Sequence, residues 1–480
     1  MREAAVIFLN GVRREVRGGD ALMMLADWLR GEEGLPGTKV VCAEGDCGAC
    51  TVLRSFRGSG FDAVNACITT VAQMDGSHLV TVEGLERSGE LAPAQEAMMK
   101  CHASQCGYCT PGFVMALTAM RERHATPSRT TVANYLTGNL CRCTGYEQIL
   151  DAGCAMVAPK SHSLAERYRD AASVDVCNQV TSQPLSIVAP SIRFHAPTTL
   201  RAALALMASE DGCRVLAGGT DLGVPVNKGA AWAQTLLSLH LIPDLDLVEV
   251  GRRRVTVGAN ATLSCVRRAC EGAVPEFARF LNLFASPQIK NTATLAGNVA
   301  NASPIGDTLP FLFVAGGTLH LARRTPEHGR IERRELSIDQ AFSGYRRLAL
   351  QPGELITHVS FDATRKGETL RLFKVSQRKD LDISAVNAAF AITRVGNRSG
   401  DYPVIDGARV AYGGIAATPV RLAQVEDALR GELTPAKVAS VASLITHAIA
   451  PISDLRGSSA YRRIVAANLF RRFADEVMRG

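Results

Sequence analysis

Cys42-Ala43-Glu44-Gly45-Asp46-Cys47-Gly48-Ala49-Cys50 places three thiols on one short turn, and a fourth, Cys67, follows 17 positions on. A second set is built from Cys106 and Cys109, two residues apart, and from Cys141 and Cys143, one residue apart. Eight of the fourteen cysteines therefore fall into two quartets within the first 143 residues. Four thiolates is the number that a [2Fe–2S] cluster takes, and soft anionic sulfur suits iron. Gly45 and Gly48 leave the first loop free to wrap an inorganic core.

The C-x4-C-x2-C spacing of the first quartet is that of plant-type ferredoxins. Zinc is the alternative, but zinc sites favour two paired knuckles over three ligands on one loop. The second quartet is less specific, and zinc stays open there. Thr110-Pro111 reads as a helix start, with a hydroxyl cap and proline at the first helical position. Its positive end would then face an anionic cluster beside Cys109. Cys101 is the competing ligand in this set, but Cys106 has the better spacing. Cys154 and Cys265 read as buried small apolar residues.

Around these loops the chain divides by pattern. Residues 4–9 and 12–16 alternate about Asn10-Gly11, a hairpin signal. Ala21 to Arg30 is helical, and strands continue to about residue 84. Four helices are expected in 85–158, three of them placed: from Thr110 to about His124, over about Thr130–Leu140, and from Tyr146 through Val157. Prolines and serines mark 159–192 as a connector. An α/β region with glycine-rich loops begins near 193. A last α+β portion runs from 366, with strands in 370–395 and 404–415 and helices at 421–430, 434–449 and 458–478.

The length of 480 residues calls for several domains, and 47% hydrophobic with 21% charged residues is ordinary globular composition. The net charge of +7 is modest and the basic pairs are scattered, which argues against nucleic-acid binding. No apolar run is long enough for a membrane span, and the N-terminus reads as a strand rather than a leader. Clustered thiols fit a cytoplasmic location.

Val215-Leu216-Ala217-Gly218-Gly219-Thr220-Asp221-Leu222 reads as a strand entering a glycine turn, where bare backbone N–H groups can approach a pyrophosphate. It is not the dinucleotide fingerprint of a Rossmann unit. Thr294 to Asp307 is a second loop, dense in small hydrogen-bonding side chains. Composition alone does not separate either loop from a plain capped turn.

Gln105-Cys106-Gly107-Tyr108-Cys109-Thr110-Pro111-Gly112, then Gly138-Asn139-Leu140-Cys141-Arg142-Cys143-Thr144-Gly145-Tyr146, then the two glycine loops, together resemble the xanthine dehydrogenase family of molybdenum hydroxylases. The resemblance implies a multidomain α+β chain: a plant-type ferredoxin β-grasp domain (1–84), a helical-bundle [2Fe–2S] domain (85–158), a linker (159–192), an α/β FAD-binding domain of the vanillyl-alcohol-oxidase/PCMH type (193–365) and a C-terminal α+β flavoprotein domain (366–480). It implies FAD contacts from Arg214, Val215, Leu216, Ala217, Gly218, Gly219, Thr220, Asp221 and Leu222. Thr294, Asn298, Asn301, Ser303 and Asp307 would meet the rest of the FAD, Phe284 its ring, and Leu355 and Lys374 would add contacts. Tyr345 falls where the family brings NAD to the flavin, and Gln105 near the partner's pterin.

By the same resemblance the chain looks like the small subunit of a split enzyme. Two [2Fe–2S] clusters and FAD would pass electrons from a molybdopterin-binding large subunit, which oxidises hypoxanthine and xanthine to urate, on to NAD. No residue here would be catalytic in the hydroxylation, and a dimer of heterodimers is expected. Glu147-Gln148 departs from the family's Arg-Pro, and Leu381 replaces an acidic residue of animal members. Two alternatives remain: the reductase subunit of another molybdenum hydroxylase (aldehyde, N-heterocycle or CO oxidation) with a different acceptor, and a zinc-binding scaffold.

Overall fold

The computed structural model describes residues 1–86, 89–156, 163–325, 328–395 and 402–479. The chain divides into two compact units: Met1–Pro243 with Ala285–Ala293, and Asp244–Phe284 with Thr294–Gly480.

In the first unit the Asn10-Gly11 hairpin joins Ala4–Leu9 to Val12–Arg17 in antiparallel register, Ala4 opposite Arg17. Every side chain of Ala4–Leu9 is buried, because the strand is central: Ser77–Val80 pairs with it in parallel. Thr51–Phe56 and Asp62–Asn65 complete a five-stranded sheet. The expected helix over 21–30 is two helices, Gly18–Leu22 and Leu25–Gly31. The break is tertiary: Leu25 N–H donates to Thr69 O, and Met23 O accepts from Val71 N–H, so this backbone is already paired elsewhere.

Four helices follow, as expected: Pro93–Lys100, Thr110–Arg123, Arg129–Tyr135 and Glu147–Ala155. Their boundaries differ in three places. Thr110 lies inside its helix and does not cap it; its hydroxyl is hydrogen-bonded to that of Ser104 at 2.7 Å, and Cys109 takes the cap position. The Arg129 helix stops at Tyr135, not near Leu140. The Glu147 helix ends at Ala155, with Met156 already non-helical, short of the expected run through Val157; the 158/159 boundary lies outside the described residues.

The stretch read as a connector contains two helices, Leu164–Tyr168 and Ala171–Thr181, and the strand Leu185–Ala189. Ser163 and Glu166 form a reciprocal capping box and Asp170 caps the second helix, so polar residues that suggested a linker are helix starts. Buried Tyr168 donates its hydroxyl to Gly84 O. A second sheet then sets Ile192–Ala196, Thr235–Ser238 and Arg214–Leu216 parallel, with Leu185–Ala189 antiparallel at one edge.

The second unit holds a five-stranded antiparallel sheet in the order Val248–Val250, Arg254–Gly258, Leu355–Asp362, Thr318–Arg324, Ile331–Ser337. Another sheet is made of Glu368–Val375, Val386–Arg394, Val404–Gly413 and Val420–Arg421. Ala423–Leu429, Pro435–Ala448 and Ser459–Arg479 share its apolar core, including Phe390, Tyr412, Phe470 and Phe473, close to the expected strands and helices.

Candidate iron–sulfur and flavin sites

Folding brings the first quartet together. The Cys42 thiol is hydrogen-bonded to those of Cys47 and Cys67, and Cys50 to Cys67. These contacts, with the Glu44 and Cys47 N–H groups each donating to Cys42 Sγ at 3.4 Å, hold the Cys42 thiol far below its ordinary range. Cys50 is also lowered, by Cys67 above all and then by donors that include Asn65 Nδ2 at 3.7 Å, against the opposing effect of burial. Their partners move the other way: Cys67 is pushed up by Cys42 and Cys50, and Cys47 by Cys42 and burial.

The second quartet closes as two pairs, Cys109 with Cys141 and Cys106 with Cys143. Burial, then the Cys141 contact, pushes Cys109 up to about 12. Cys141 goes down: burial opposes this, but the Thr144 hydroxyl, donating to Sγ at 3.2 Å, and backbone N–H groups outweigh it. Cys106, not Cys101, is the thiol drawn to Cys143; Cys101 ends the Pro93–Lys100 helix.

Among the described residues no three or more His, Cys, Asp or Glu side chains converge as ligands of a single ion. The fit to iron rests on the pairwise thiol contacts and on the N–H donors aimed at sulfur. Two irons, each held by two thiolates, ask for thiols in pairs, and N–H···S donors favour the reduced, more negative state. Metal entry would displace the shared thiol protons.

The two quartets adjoin through backbone. Leu140 N–H, one residue before Cys141, donates to Cys47 O at 3.0 Å, and Asn139 Nδ2 donates to Gly48 O at 3.1 Å. Gly48 has φ +68°, and a Cβ there would stand 2.1 Å from Gly138 O, so only glycine lets the two loops approach this closely. Gln288 donates to Asn139 Oδ1 at 2.8 Å and to Thr51 Oγ1 at 3.2 Å. The sequence offers no local reason to single out Asn65, Gln288 or Asn227, whose Nδ2 donates to Ala43 O and Cys67 O. Amides far apart in sequence carry no local signal that they will converge on one loop.

The flavin candidates fall in both units. In the first, Arg214–Leu216 is a strand and Ala217–Leu222 turns into the helix Gly223–Asn227. Leu216 is fully buried in the core, whereas Ala217, Gly218, Gly219 and Thr220 are half-buried and Arg214 and Asp221 exposed. A Cβ at Gly218 would lie 2.1 Å from Thr292 O, and Gly218 O accepts from Gln73 Nε2 at 3.4 Å.

In the second unit Thr294 caps Leu295–Ala300 by accepting from Gly297 N–H at 3.0 Å. Asn298, within that helix, accepts at Oδ1 from Thr308 at 2.6 Å; Asn298 and, in the loop that follows, Asn301 and Ser303 are half-buried. Ala302 between them has φ +48°, a strained state for a residue with a Cβ and one that occurs preferentially at functional loops. Asp307 is buried, with Lys374 Nζ and the Ser384 hydroxyl each at 2.5 Å and Asn387 Nδ2 at 2.8 Å. The carboxylate expected near the FAD chain is thus already held by three donors and Lys374 is its counter-ion, so both act first as framework. Leu355 is buried at the start of its strand, leaving its backbone for any contact. Phe284 is half-buried. Tyr345 is 63% exposed between Phe342–Gly344 and Arg347–Leu348.

Paired thiol quartets, a glycine turn and a small-residue loop fit the class of iron–sulfur flavoproteins. Family models match three stretches: a [2Fe-2S] binding domain over 81–154, the FAD binding domain in molybdopterin dehydrogenase over 190–361, and the CO dehydrogenase flavoprotein C-terminal domain over 371–477. The chain carries the iron–sulfur and FAD region of the molybdenum hydroxylase family.

Xanthine dehydrogenase from Oryza sativa subsp. japonica is 29% identical over 503 residues, covering 89% of this chain and 36% of that protein. The Drosophila subobscura xanthine dehydrogenase is 32% identical over 470 residues, covering 86% of this chain and 34% of that protein. The chain thus spans about a third of the length of these relatives. Among solved structures, reconstituted CO dehydrogenase from Oligotropha carboxidovorans superposes with a TM-score of 0.54 at 26% identity, covering 61% of this chain and 99% of that one. Quinoline 2-oxidoreductase from Pseudomonas putida 86, at 23% identity and a TM-score of 0.53, covers 61% of this chain and 98% of that one and shares the fold.

Proposed function

We propose that the chain is the electron-transferring part of a xanthine dehydrogenase, working with a molybdopterin-binding partner that oxidises hypoxanthine and xanthine to urate, and delivering the electrons to NAD. The observation that carries this reading is the match to proteins named xanthine dehydrogenase, which takes in 86–89% of this chain. Iron–sulfur clusters exchange single electrons, NAD accepts a hydride, and flavin chemistry spans both.

Within that scheme the residues have separate tasks. Cys106, Cys109, Cys141 and Cys143 hold the cluster that receives electrons, and Cys42, Cys47, Cys50 and Cys67 the next one. Residues 138–140 and Gly48 keep the two loops in backbone contact, which suits short-range transfer. Arg214–Leu222, Phe284, Thr294, Asn298, Asn301 and Ser303 bind FAD, Asp307 and Lys374 brace the loop, Leu355 contributes backbone, and Tyr345 meets NAD. A fold of β-grasp and PCMH type, a cytoplasmic location and a dimer of heterodimers belong to the same proposal. Among the described residues no helix is long and apolar enough to cross a membrane.

A second reading, the reductase half of a different molybdenum hydroxylase, is favoured by the structural likeness to CO dehydrogenase. Turnover by the co-purified complex decides between them. Reduction of NAD with xanthine supports the first reading. Failure with every purine, alongside oxidation of an aldehyde, N-heterocycle or CO with another acceptor, overturns it.

A further inference from the structure

The Gly223–Asn227 helix, which follows the glycine turn directly, ends against the first quartet. Both N–H bonds of the Asn227 amide are in use: Nδ2 donates to Ala43 O at 2.8 Å and to Cys67 O at 2.7 Å. Ala43 O belongs to the same peptide group as Glu44 N–H, which donates to Cys42 Sγ at 3.4 Å. The Cys67 carbonyl belongs to another ligand of the same quartet. Lys228, the next residue, pairs with Glu44 at 2.5 Å, so two consecutive side chains grip the loop.

We propose that Asn227 is a positioning residue for the first cluster, acting through the Ala43–Glu44 peptide on the Cys42 sulfur and raising the cluster's reduction potential. A donor on a carbonyl polarises its peptide and strengthens the N–H on the other side of that group, as in any hydrogen-bond chain. A stronger N–H···S bond stabilises the reduced cluster more than the oxidised one. The amide therefore links a segment that carries flavin candidates to the electronic state of a cluster ligand, within one compact unit. This rests on the proposed iron–sulfur reading of the quartet.

The test is Asn227→Leu, similar in size and without a donor, in the full chain with its partner, by redox titration followed through low-temperature paramagnetic resonance. The expected result is a several-fold smaller reduced fraction of the first cluster at a fixed poise, with the second cluster's titration unchanged and FAD content retained. Asn227→Ala, without a donor and without a charge, should shift the same signal in the same direction, and it carries the readout if the leucine variant does not assemble. An unchanged titration of the first cluster in the assembled variants overturns the proposal. Absence of both signals from the unmodified protein would instead overturn the iron–sulfur reading.

Discussion

Asp307→Asn should strongly destabilise the sheet that carries Lys374. The Lys374 side chain is 3% exposed and its counter-ion 6% exposed, so the asparagine variant leaves a buried ammonium with neutral partners alone, Ser384 Oγ at 3.1 Å and at best the new amide oxygen. Breaking a buried pair from one side costs about 3–5 kcal/mol. Lys374→Met leaves the carboxylate still accepting from Ser384 and Asn387. At about 1 kcal/mol for each retained bond, its cost falls to about 1–3 kcal/mol. The double variant removes both charges and should cost little more than the lysine variant, a coupling of about 3 kcal/mol. Hydrogen exchange of the amides in Glu368–Val375 and Val386–Arg394 reads the local opening free energy directly. Additive single costs, or an Asp307→Asn cost below about 1 kcal/mol, would refute the argument from a buried and mutually dependent pair.

Other expectations follow from single contacts. Cys106→Ser should remove one of two paramagnetic signals and spare the other, while Cys101→Ser spares both; the reverse pattern would move the ligand to Cys101. Gly48→Ala must accommodate a methyl 2.1 Å from a carbonyl oxygen at φ +68°, and should lower iron content in the purified chain; full iron loading would contradict the close approach. His240 is fully buried, and burial first, then Arg54, Arg57 and Arg2, holds its pKa well below the ordinary value. A histidine depressed in the folded state stabilises fully above the unfolded value of about 6.5, and stability is lost as pH falls from there toward the folded pKa. His240→Gln should therefore flatten the limb between about pH 5 and 7 of a stability–pH curve, by up to about 1.4 kcal/mol per pH unit. An unchanged slope would count against it.

What could be read in advance was what local pattern encodes. Cysteine spacing marked both quartets, and the fold brings their thiols into contact in pairs. The Asn10-Gly11 hairpin and the C-terminal strands and helices followed from alternation and periodicity. Three misreadings share a cause in tertiary pairing or capping. Met23 and Leu25 spend their backbone on Thr69 and Val71, so a periodic segment splits in two. Thr110 turns its hydroxyl to Ser104 rather than to its own helix. Ser163 and Asp170 start helices in a stretch whose composition suggested a connector. The amides that support the quartets were invisible for a different reason. Gln288 meets Thr51 across 237 positions, and Asn227 meets Ala43 across 184. Nothing in a local window distinguishes such an amide from one that faces water.

The membership of Ala285–Ala293 in the first unit also has a consequence in time. All eight quartet cysteines have been synthesised by Cys143, yet Gln288, which braces the loops between the quartets, emerges about 145 residues later. At about 5–20 residues per second on the ribosome, that is a delay of roughly 7–30 s. During that interval the thiols exist without their final support, open to iron delivery but equally to oxidation. A nascent chain halted before residue 285 should therefore lose iron to a chelator faster than one released after 293.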